Sequence, residues 1–494
     1  MVRTEVGENV TVSPDPSPER IDPVRYGLRP VEARHVGALR DLLGADAVIA
    51  EPDRLEPFAR DETEALRFPP DVAVLPSTPE QVAAVLRLAN EELLPVVARG
   101  AGTGLSGGAL PVCGGIVLSL ERLDRIRAID ERDQVAEAEA GVVLADLQAA
   151  VEARGLFYPP DPSSRESCRL GGNLAEDAAG PRSAKFGPTR RWVLGLEAVL
   201  ADGTLLELGS RCRKDATGLH LTQLLVGSEG TLAVITAARL RLIARPRASL
   251  TAILPFPSLE SAAAAVEGRF AAGLDPAACE LMEAAAIDAV ARVEPLPQAL
   301  AGRPALLLVE LLGEDRDELL GRAGRLDELA TGLGAGETLI ADEPAGERRL
   351  WAVRRRIGEA VKSISSYKEA DTVVPRSRLA ELVVAARSAA ARHGLEAVVY
   401  GHAGDGNLHV NLLRGDLGEA EWRRRRDAAE RELVDAVIGL GGRLTGEHGV
   451  GWVQRDLLPL ALSEREIDLQ RAIKRAFDPR GILNPGKLFP DPPA

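Results

Sequence analysis

The chain has 494 residues, 45% of them hydrophobic, and a net charge of -14. That length is too great for one ordinary hydrophobic core and calls for two or three domains. The acidic balance argues against nucleic acid and an anionic membrane surface as main partners, while leaving room for a small anion held by local arginines.

No apolar run reaches membrane-spanning length, and no signal-peptide core follows the acidic N-terminus. The expected location is therefore cytoplasmic, with peripheral docking at the inner membrane left open. Cys113, Cys168, Cys212 and Cys279 are scattered and form no CxxC, so neither a disulfide framework nor an iron–sulfur cluster is expected.

TVSPDPSPER makes residues 1 to about 25 a poorly ordered lead-in, and the first domain is expected to start near residue 51. DVAVLPS (71–77) reads as a strand. Ser77 or Thr78 then caps a helix with Pro79 in its first turn and apolar residues at Val82, Val85, Leu86 and Ala89. PVVARG (95–100) and GGIVLSL (114–120) read as strands, followed by a hairpin-like pair around ERD (131–133) and a helix over about 144–154. WVLGLEAVL and TLLELG form strands joined at Ala201-Asp202-Gly203, and strand character returns at 230–242.

ARPRA (244–248) marks a boundary. Beyond it come the strand TAILPF, a helix over SLESAAAAVEGRFAAG, the strand ALLLVELLG and a helix from about Asp315 to Thr331. Helices are also expected over 347–363, 376–393 and 419–438, with a last one running into FDPRGILNPGK. The expected division is a lead-in (1–50), a first domain (51–246), a second (247–450) and a C-terminal segment (451–494) that returns to the first.

ARGAGTGLSGGAL (98–110) contains Gly102-x-Gly104-x-x-Gly107. A dinucleotide-binding Rossmann loop opens a helix directly after its strand. Here the loop runs through Pro111 and Gly114-Gly115 into another strand, which disfavours NAD. A run of small residues still presents successive backbone N–H groups to a pyrophosphate. Alone, the segment suits that role and a flexible surface loop equally.

Further along lie PPDPSS (159–164), GGNLAEDAAG (171–180), AKFG (184–187), GSEGTLAVIT (227–236) and the tail LNPGK (483–487). Their order and spacing over roughly residues 50–490 resemble the FAD-binding oxidoreductases of the vanillyl-alcohol oxidase and p-cresol methylhydroxylase type. The similar branch is that of the FAD-linked D-2-hydroxy-acid dehydrogenases: glycolate oxidase flavin subunit, D-lactate dehydrogenase and D-2-hydroxyglutarate dehydrogenase. The resemblance implies an α+β fold, with a two-part FAD-binding domain and an α+β substrate (cap) domain on an antiparallel sheet.

It also implies roles for residues. Arg99, Gly100, Ala101, Gly102, Thr103, Gly104, Leu105, Ser106 and Gly107 would cradle the FAD pyrophosphate. Pro160, Asp161, Gly171, Gly172, Asn173 and Ala175 would line the isoalloxazine and ribityl side. Glu229, Gly230 and Ile235 would hold the adenine half, and Asn484 would reach back to the flavin. No histidine stands in the glycine loop, so noncovalent FAD is expected. Asp177 stands where relatives usually carry Asn, and an extra carboxylate near a flavin would lower its reduction potential.

The chain holds only six histidines, and two lie in YGHAGDGNLHVNL (400–412) with a third in TGEHGVG (445–451). Asp405-Gly406 is a hairpin turn signal. A turn centred there sets His402 opposite His409 and Tyr400 opposite Asn411, all on one face, because strand side chains alternate. Directly opposite Cβ atoms lie about 4.5–5.5 Å apart, which suits two imidazoles on one metal ion, although this segment alone slightly favours a pair that merely packs or hydrogen-bonds. Glu447 and His448 shift the balance: two His and one Glu make an open metal site, with an adjacent imidazole left free. HExxH is absent, so a zincin protease is not expected.

The resemblance implies His402, His409 and Glu447 as ligands of a divalent metal, zinc or manganese, and His448 as catalytic base. It further implies Arg354 and Lys368 as carboxylate ligands, while Asn411 on the hairpin is placed to hydrogen-bond substrate. Gly358 stands where hydroxyglutarate-type enzymes carry a threonine. The expected activity is oxidation of a D-2-hydroxy acid or glycolate to the 2-oxo acid by hydride transfer to FAD. Electrons would pass to an external acceptor, namely a quinone, an electron-transfer flavoprotein or a partner subunit. A homodimer is left open. The alternatives are a flavin subunit that needs partners, as in multi-subunit glycolate oxidase, and a non-redox flavoenzyme of the alkyl-dihydroxyacetone-phosphate synthase kind.

Overall fold

The computed structural model describes residues 19–293 and 295–491. Of the expected lead-in (1–50), residues 1–18 lie outside them. The rest of that segment is folded: a helix (Ala33–Leu43) and a short strand (Val48–Ile49) join the first sheet. That sheet has four strands in the order 48–49, 72–74, 116–119, 96–99, with its last three parallel. Thr78 caps the helix Pro79–Glu92 through Gln81 N, and Val82, Val85, Leu86 and Ala89 are buried against the sheet. Residues 100–115 cross between two parallel strands without a helix, so the Rossmann arrangement is absent there.

A five-stranded antiparallel sheet follows, in the order 126–130, 135–139, 234–241, 193–199, 205–209. The C-terminal tail returns to the first sheet, where Val96 N donates to Ile482 O and Asn484 N to Val96 O.

The third large sheet has seven antiparallel strands in the order 339–341, 248–256, 305–313, 278–283, 396–402, 407–413, 367–373. Period-2 alternation divides it into two faces. On one face Leu408, Val410 and Leu412 join Val399, Leu281 and Leu307 against the helices Leu259–Ala271, Arg316–Gly332, Leu379–Arg392 and Glu419–Gly439. The other face carries Met282, Val398 and Tyr400 against the helices Ala284–Val293, Pro344–Arg355 and Ile357–Ile364. On that second face the apolar layer stops and a polar cluster begins.

Several elements depart from the sequence reading. The expected single helix over 347–363 breaks at Arg356 into two. The strands Ala278–Glu283 and Tyr367–Val373 were not expected, because each is interrupted by acidic residues that mimic a loop. The hairpin turn is a four-residue loop, Ala403–Gly406, in which Asp405 N and Gly406 N both reach His402 O. Gly406 has φ +91°, and a Cβ there would lie 2.0 Å from Val374 O. The register therefore pairs Tyr400 with His409, His402 with Asn407 and Val398 with Asn411. It differs by two residues from the expected one. A two-residue slip preserves the face, so the four residues still share it.

Candidate active site

The strands 278–283, 396–402, 407–413 and 367–373 are consecutive neighbours, and each sends polar side chains to the same face. The register Met282↔Tyr400 and Leu281↔Gly401 carries Glu280 alongside His402. The register Asp371↔His409 and Glu369↔Asn411 brings two more carboxylates to the hairpin. Glu447 and His448 arrive from the loop after the helix Glu419–Gly439.

Three side chains converge on one point. Glu447 Oε1 lies 3.2 Å from His402 Nε2 and 3.5 Å from His409 Nε2. Metal–nitrogen bonds of about 2.0–2.1 Å put tetrahedral ligands roughly 3.3–3.4 Å apart, so the spacing fits a shared ion. The charge fits as well. Glu280, Glu369, Asp371 and Asp405 surround the three, together with Glu447 itself. His402 Nδ1 sits 2.8 Å from Glu280, the carboxylate–histidine support usual behind a metal ligand.

Burial and charge compete at each group. Burial pushes the Glu447 carboxyl up, but the His402, His409 and His448 imidazoles outweigh it and bring it down to about 2. Burial pushes His402 down, and Glu280 and Glu447 reverse this and hold it well above the usual histidine value. Burial dominates at His409 and lowers it. His448 stacks on His409 with ring centroids 5.2 Å apart. Its Nδ1 is 3.4 Å from Glu369 and its Nε2 3.7 Å from Glu447. Burial lowers His448, but Asp371, Glu369 and Glu447 raise it overall.

Asp371 fixes the loop that carries Glu447 and His448. Its Oδ2 accepts hydrogen bonds from Thr445 Oγ1 (2.6 Å) and from the backbone N–H of Gly446 (2.8 Å), Glu447 (2.7 Å) and His448 (2.9 Å). Its Oδ1 accepts from Asn407 Nδ2 at 2.6 Å. Burial would raise this carboxyl, yet His448, His409 and the N–H of Glu447 hold it far below the usual range.

His409, Glu447 and His448 open into a cavity of about 660 Å³, within the usual range of ligand sites. Its other walls are Arg99 to Leu105, Asp161, Gly171, Gly172, Asn173, Ala175, Glu229, Gly230 and Ile235. Among the described residues, the backbone N–H groups of Gly102, Thr103, Gly104 and Leu105 donate no hydrogen bond. A row of uncommitted N–H groups is what a pyrophosphate needs. The residues present therefore fit FAD, and a Lewis-acid ion at the histidine end.

Other expected residues stand elsewhere. Arg99 lines the cavity, but its guanidinium donates to Pro57 O and Arg60 O and packs under Gly102, bracing the loop from below. Ser106 and Gly107 do not line it: Ser106 O accepts from Trp452 N and Val453 N, and Gly107 N donates to Thr63. Pro160 is buried, its carbonyl accepting from Gln148. Asn484 donates to Gly108 O and Glu229 O rather than lining the cavity. Glu229, besides lining it, accepts from Val450 N and Gly451 N and so joins the segment 227–236 to the loop just after His448.

Asp177 turns away from the cavity. It has φ +55°, caps the helix Leu170–Glu176 and binds Arg190, so the expected lowering of the flavin potential has no structural support. The requirement at this position is a left-handed backbone, which Asn and Asp both tolerate. The carboxyl that does face the cavity is the neighbouring Glu176, raised well above the usual range by burial, Glu229 and Asp61.

Arg354 lines the cavity with its Nε on Glu280 (2.8 Å) and its guanidinium 4.9 Å from the Tyr400 ring. Asn411 is fully buried beside Tyr400. Lys368 is not brought to the site. It lies on the opposite face of its strand, with Nζ 3.2 Å from Glu430, and Glu369 takes the inward position. Strand alternation makes the two mutually exclusive.

Glu280, Glu369 and Asp371 were missed by sequence reasoning. The available signal was a carboxylate inside an otherwise apolar strand, as in ACELME and EADTVV.

Residues 70–209 match a family described as FAD binding domain, and residues 245–488 match FAD linked oxidases, C-terminal domain. The chain is 34% identical over 440 residues to glycolate oxidase subunit GlcD of Bacillus subtilis, covering 87% of this chain and 92% of that one. It is 38% identical over 417 residues to a D-lactate dehydrogenase of Archaeoglobus fulgidus (84% and 91% covered). It is 34% identical over 457 residues to a D-2-hydroxyglutarate dehydrogenase of Xanthomonas citri (92% and 96% covered). The fold matches p-cresol methylhydroxylase with a TM-score of 0.76 at 20% identity, over 92% of this chain and 96% of that one. The chain thus belongs to the FAD-linked oxidases, as an oxidoreductase of the type of glycolate oxidase subunit GlcD and the D-lactate and D-2-hydroxyglutarate dehydrogenases.

Proposed function

We propose that this chain oxidises a D-2-hydroxy acid, of the D-lactate, glycolate or D-2-hydroxyglutarate class, to the 2-oxo acid. The observation that carries the reading is the convergence of His402, His409 and Glu447, with His448 stacked beside them, at one end of a glycine-lined cavity. The substrates named for the relatives support the substrate class. Residues 51–246, with the tail 451–494, would hold FAD noncovalently. The segment 247–450 would hold a divalent ion, zinc or manganese, through His402, His409 and Glu447.

When bound, FAD supplies a two-electron acceptor for the C2 hydride and the ion supplies a Lewis acid for the C2 hydroxyl. The chain does the rest. His448 takes the hydroxyl proton at Nε2, the ring nitrogen on the Glu447 side. Asp371 positions His448 by its backbone N–H. Glu280 holds Arg354 and His402 together, and Arg354 turns its remaining N–H groups to the substrate carboxylate. Electrons then leave to an external acceptor, a quinone, an electron-transfer flavoprotein or a partner subunit.

The test is anaerobic. The purified protein is mixed with D-lactate, glycolate, D-2-hydroxyglutarate and the L-enantiomers while flavin absorbance is followed. D-acids or glycolate are expected to bleach the flavin and L-acids not. Bleaching by none of them overturns the oxidation; equal bleaching by both hands overturns the anchoring of carboxylate and hydroxyl.

A further inference from the structure

Resting on that reading, we propose that Glu369 makes the site selective for 2-hydroxy acids with a single carboxylate and turns away those with a second. The family resemblance implied a lysine in this part of the site. The structure instead points the preceding Lys368 outward, where Glu430 binds it, and turns Glu369 inward. The charge at the inner position is therefore negative where a carboxylate-binding cation was expected.

Glu369 Oε1 lies 3.4 Å from His448 Nδ1 and 3.7 Å from His409 Nδ1. No lysine or arginine is within 4.0 Å of it among the ion pairs of the described residues. Glu369 and Arg354 line the same cavity, so a substrate whose first carboxylate is held at Arg354 shares that space with the Glu369 carboxylate. Gly358 also lines the cavity, and a Cβ there would meet only the Tyr400 hydroxyl at 3.9 Å, so the wall offers room.

Arg165, Arg169, Arg355 and Lys362 also line the cavity, and none of them is ion-paired with Glu369. Arg354 has its Nε on Glu280. Lys362 is 46% exposed at the rim, 3.5 Å from Glu62. Arg355 has Arg165, Asp161, Arg182 and Glu310 among its charged neighbours. Like charges set side by side oppose binding strongly, whereas an apolar or hydroxylated tail meets no such penalty.

The experiment uses the FAD-loaded, metal-loaded enzyme and acids matched in length: D-2-hydroxybutyrate against D-malate, and D-2-hydroxyvalerate against D-2-hydroxyglutarate. Anaerobic flavin reduction is measured over a concentration series. The monocarboxylic acid is expected to exceed its dicarboxylic partner by about 100-fold in reduction rate over Kd, mostly through Kd, the order expected for juxtaposed like charges. Glu369→Gln keeps the shape and removes the charge, and is expected to narrow the gap by roughly tenfold or more; its FAD and metal contents verify that the site is intact. Equal use of both acids by the wild type overturns the inference, as does a ratio unchanged in Glu369→Gln. If no hydroxy acid of any kind, D-lactate and glycolate included, reduces the flavin, the oxidation reading itself falls and takes this inference with it.

Discussion

The two ends of the cavity are built on opposite plans. At the glycine loop the chain removes side chains and offers backbone, and its support comes from beneath, through Arg99 and Asn484. At the hairpin it offers side chains, with carboxylates behind them: Glu280 holds His402, and Asp371 holds the Glu447–His448 loop. A backbone site depends on conformation, and one residue with the wrong φ distorts it. A side-chain site depends on chemistry, and one lost donor empties it. Damage at either end should therefore leave the other end's ligand in place, although Glu229 joins the two.

The sharpest break in that comparison is expected from His402→Ala, His409→Ala or Glu447→Ala. Each should lose bound metal while keeping FAD, and turnover should fall by more than the about 10²–10⁴-fold typical of a lost acid–base group. Elemental analysis beside the flavin spectrum checks it; unchanged metal in all three removes the ligand assignment. Next, His448→Asn should retain both cofactors and lose about 10²–10⁴-fold in turnover. A loss below tenfold would return His448 to a packing role.

Asp371→Asn sharpens the contrast by acting one layer out. Its amide cannot accept four hydrogen bonds on one oxygen while facing Asn407 with the other, so metal affinity should weaken about 10–100-fold with FAD binding unaltered. Metal titration of the depleted protein measures it, and loss of FAD along with metal would mean that the loop supports both ends. Gly102→Ala is the converse. Glycine sits at φ +76°, and a Cβ would lie 2.0 Å from Arg99 Nη2. A strained backbone of this kind costs roughly 1–3 kcal/mol, so FAD binding should weaken about tenfold, seen as flavin lost on dialysis, with metal content unchanged.

The smallest effect belongs to Asp177→Asn. The side chain faces Arg190 and not the cavity, and its backbone suits Asn, so the flavin reduction potential should not move and stability should change by less than about 0.5 kcal/mol. A clear potential shift would show that this charge is felt at the flavin after all.

Much of this was legible in local pattern. The alternation in AVVYGH and NLHVNLL already divides apolar from polar faces, and it put Tyr400, His402, His409 and Asn411 together even with the register off by two residues. The glycine loop was legible only together with the glycine-rich segments that follow it, because alone it suits a pyrophosphate site and a surface loop equally. The register itself was not, because a two-residue and a four-residue loop share the sequence AGDG.

Local sequence carries parity and composition: which side chains share a face, and which segments lack side chains. Tertiary structure decided the partners. Glu280 reaches His402 from 122 residues away because their strands are neighbours in the sheet, and nothing local to ACELME names that neighbour. The choice between Lys368 and Glu369 likewise rested on a strand disguised as a loop, whose pairing with the hairpin fixes which of two adjacent residues points inward. Period-2 geometry is a property of one strand, whereas adjacency is a property of the packed sheet, set by the burial of Leu408, Val410 and Leu412 against distant helices.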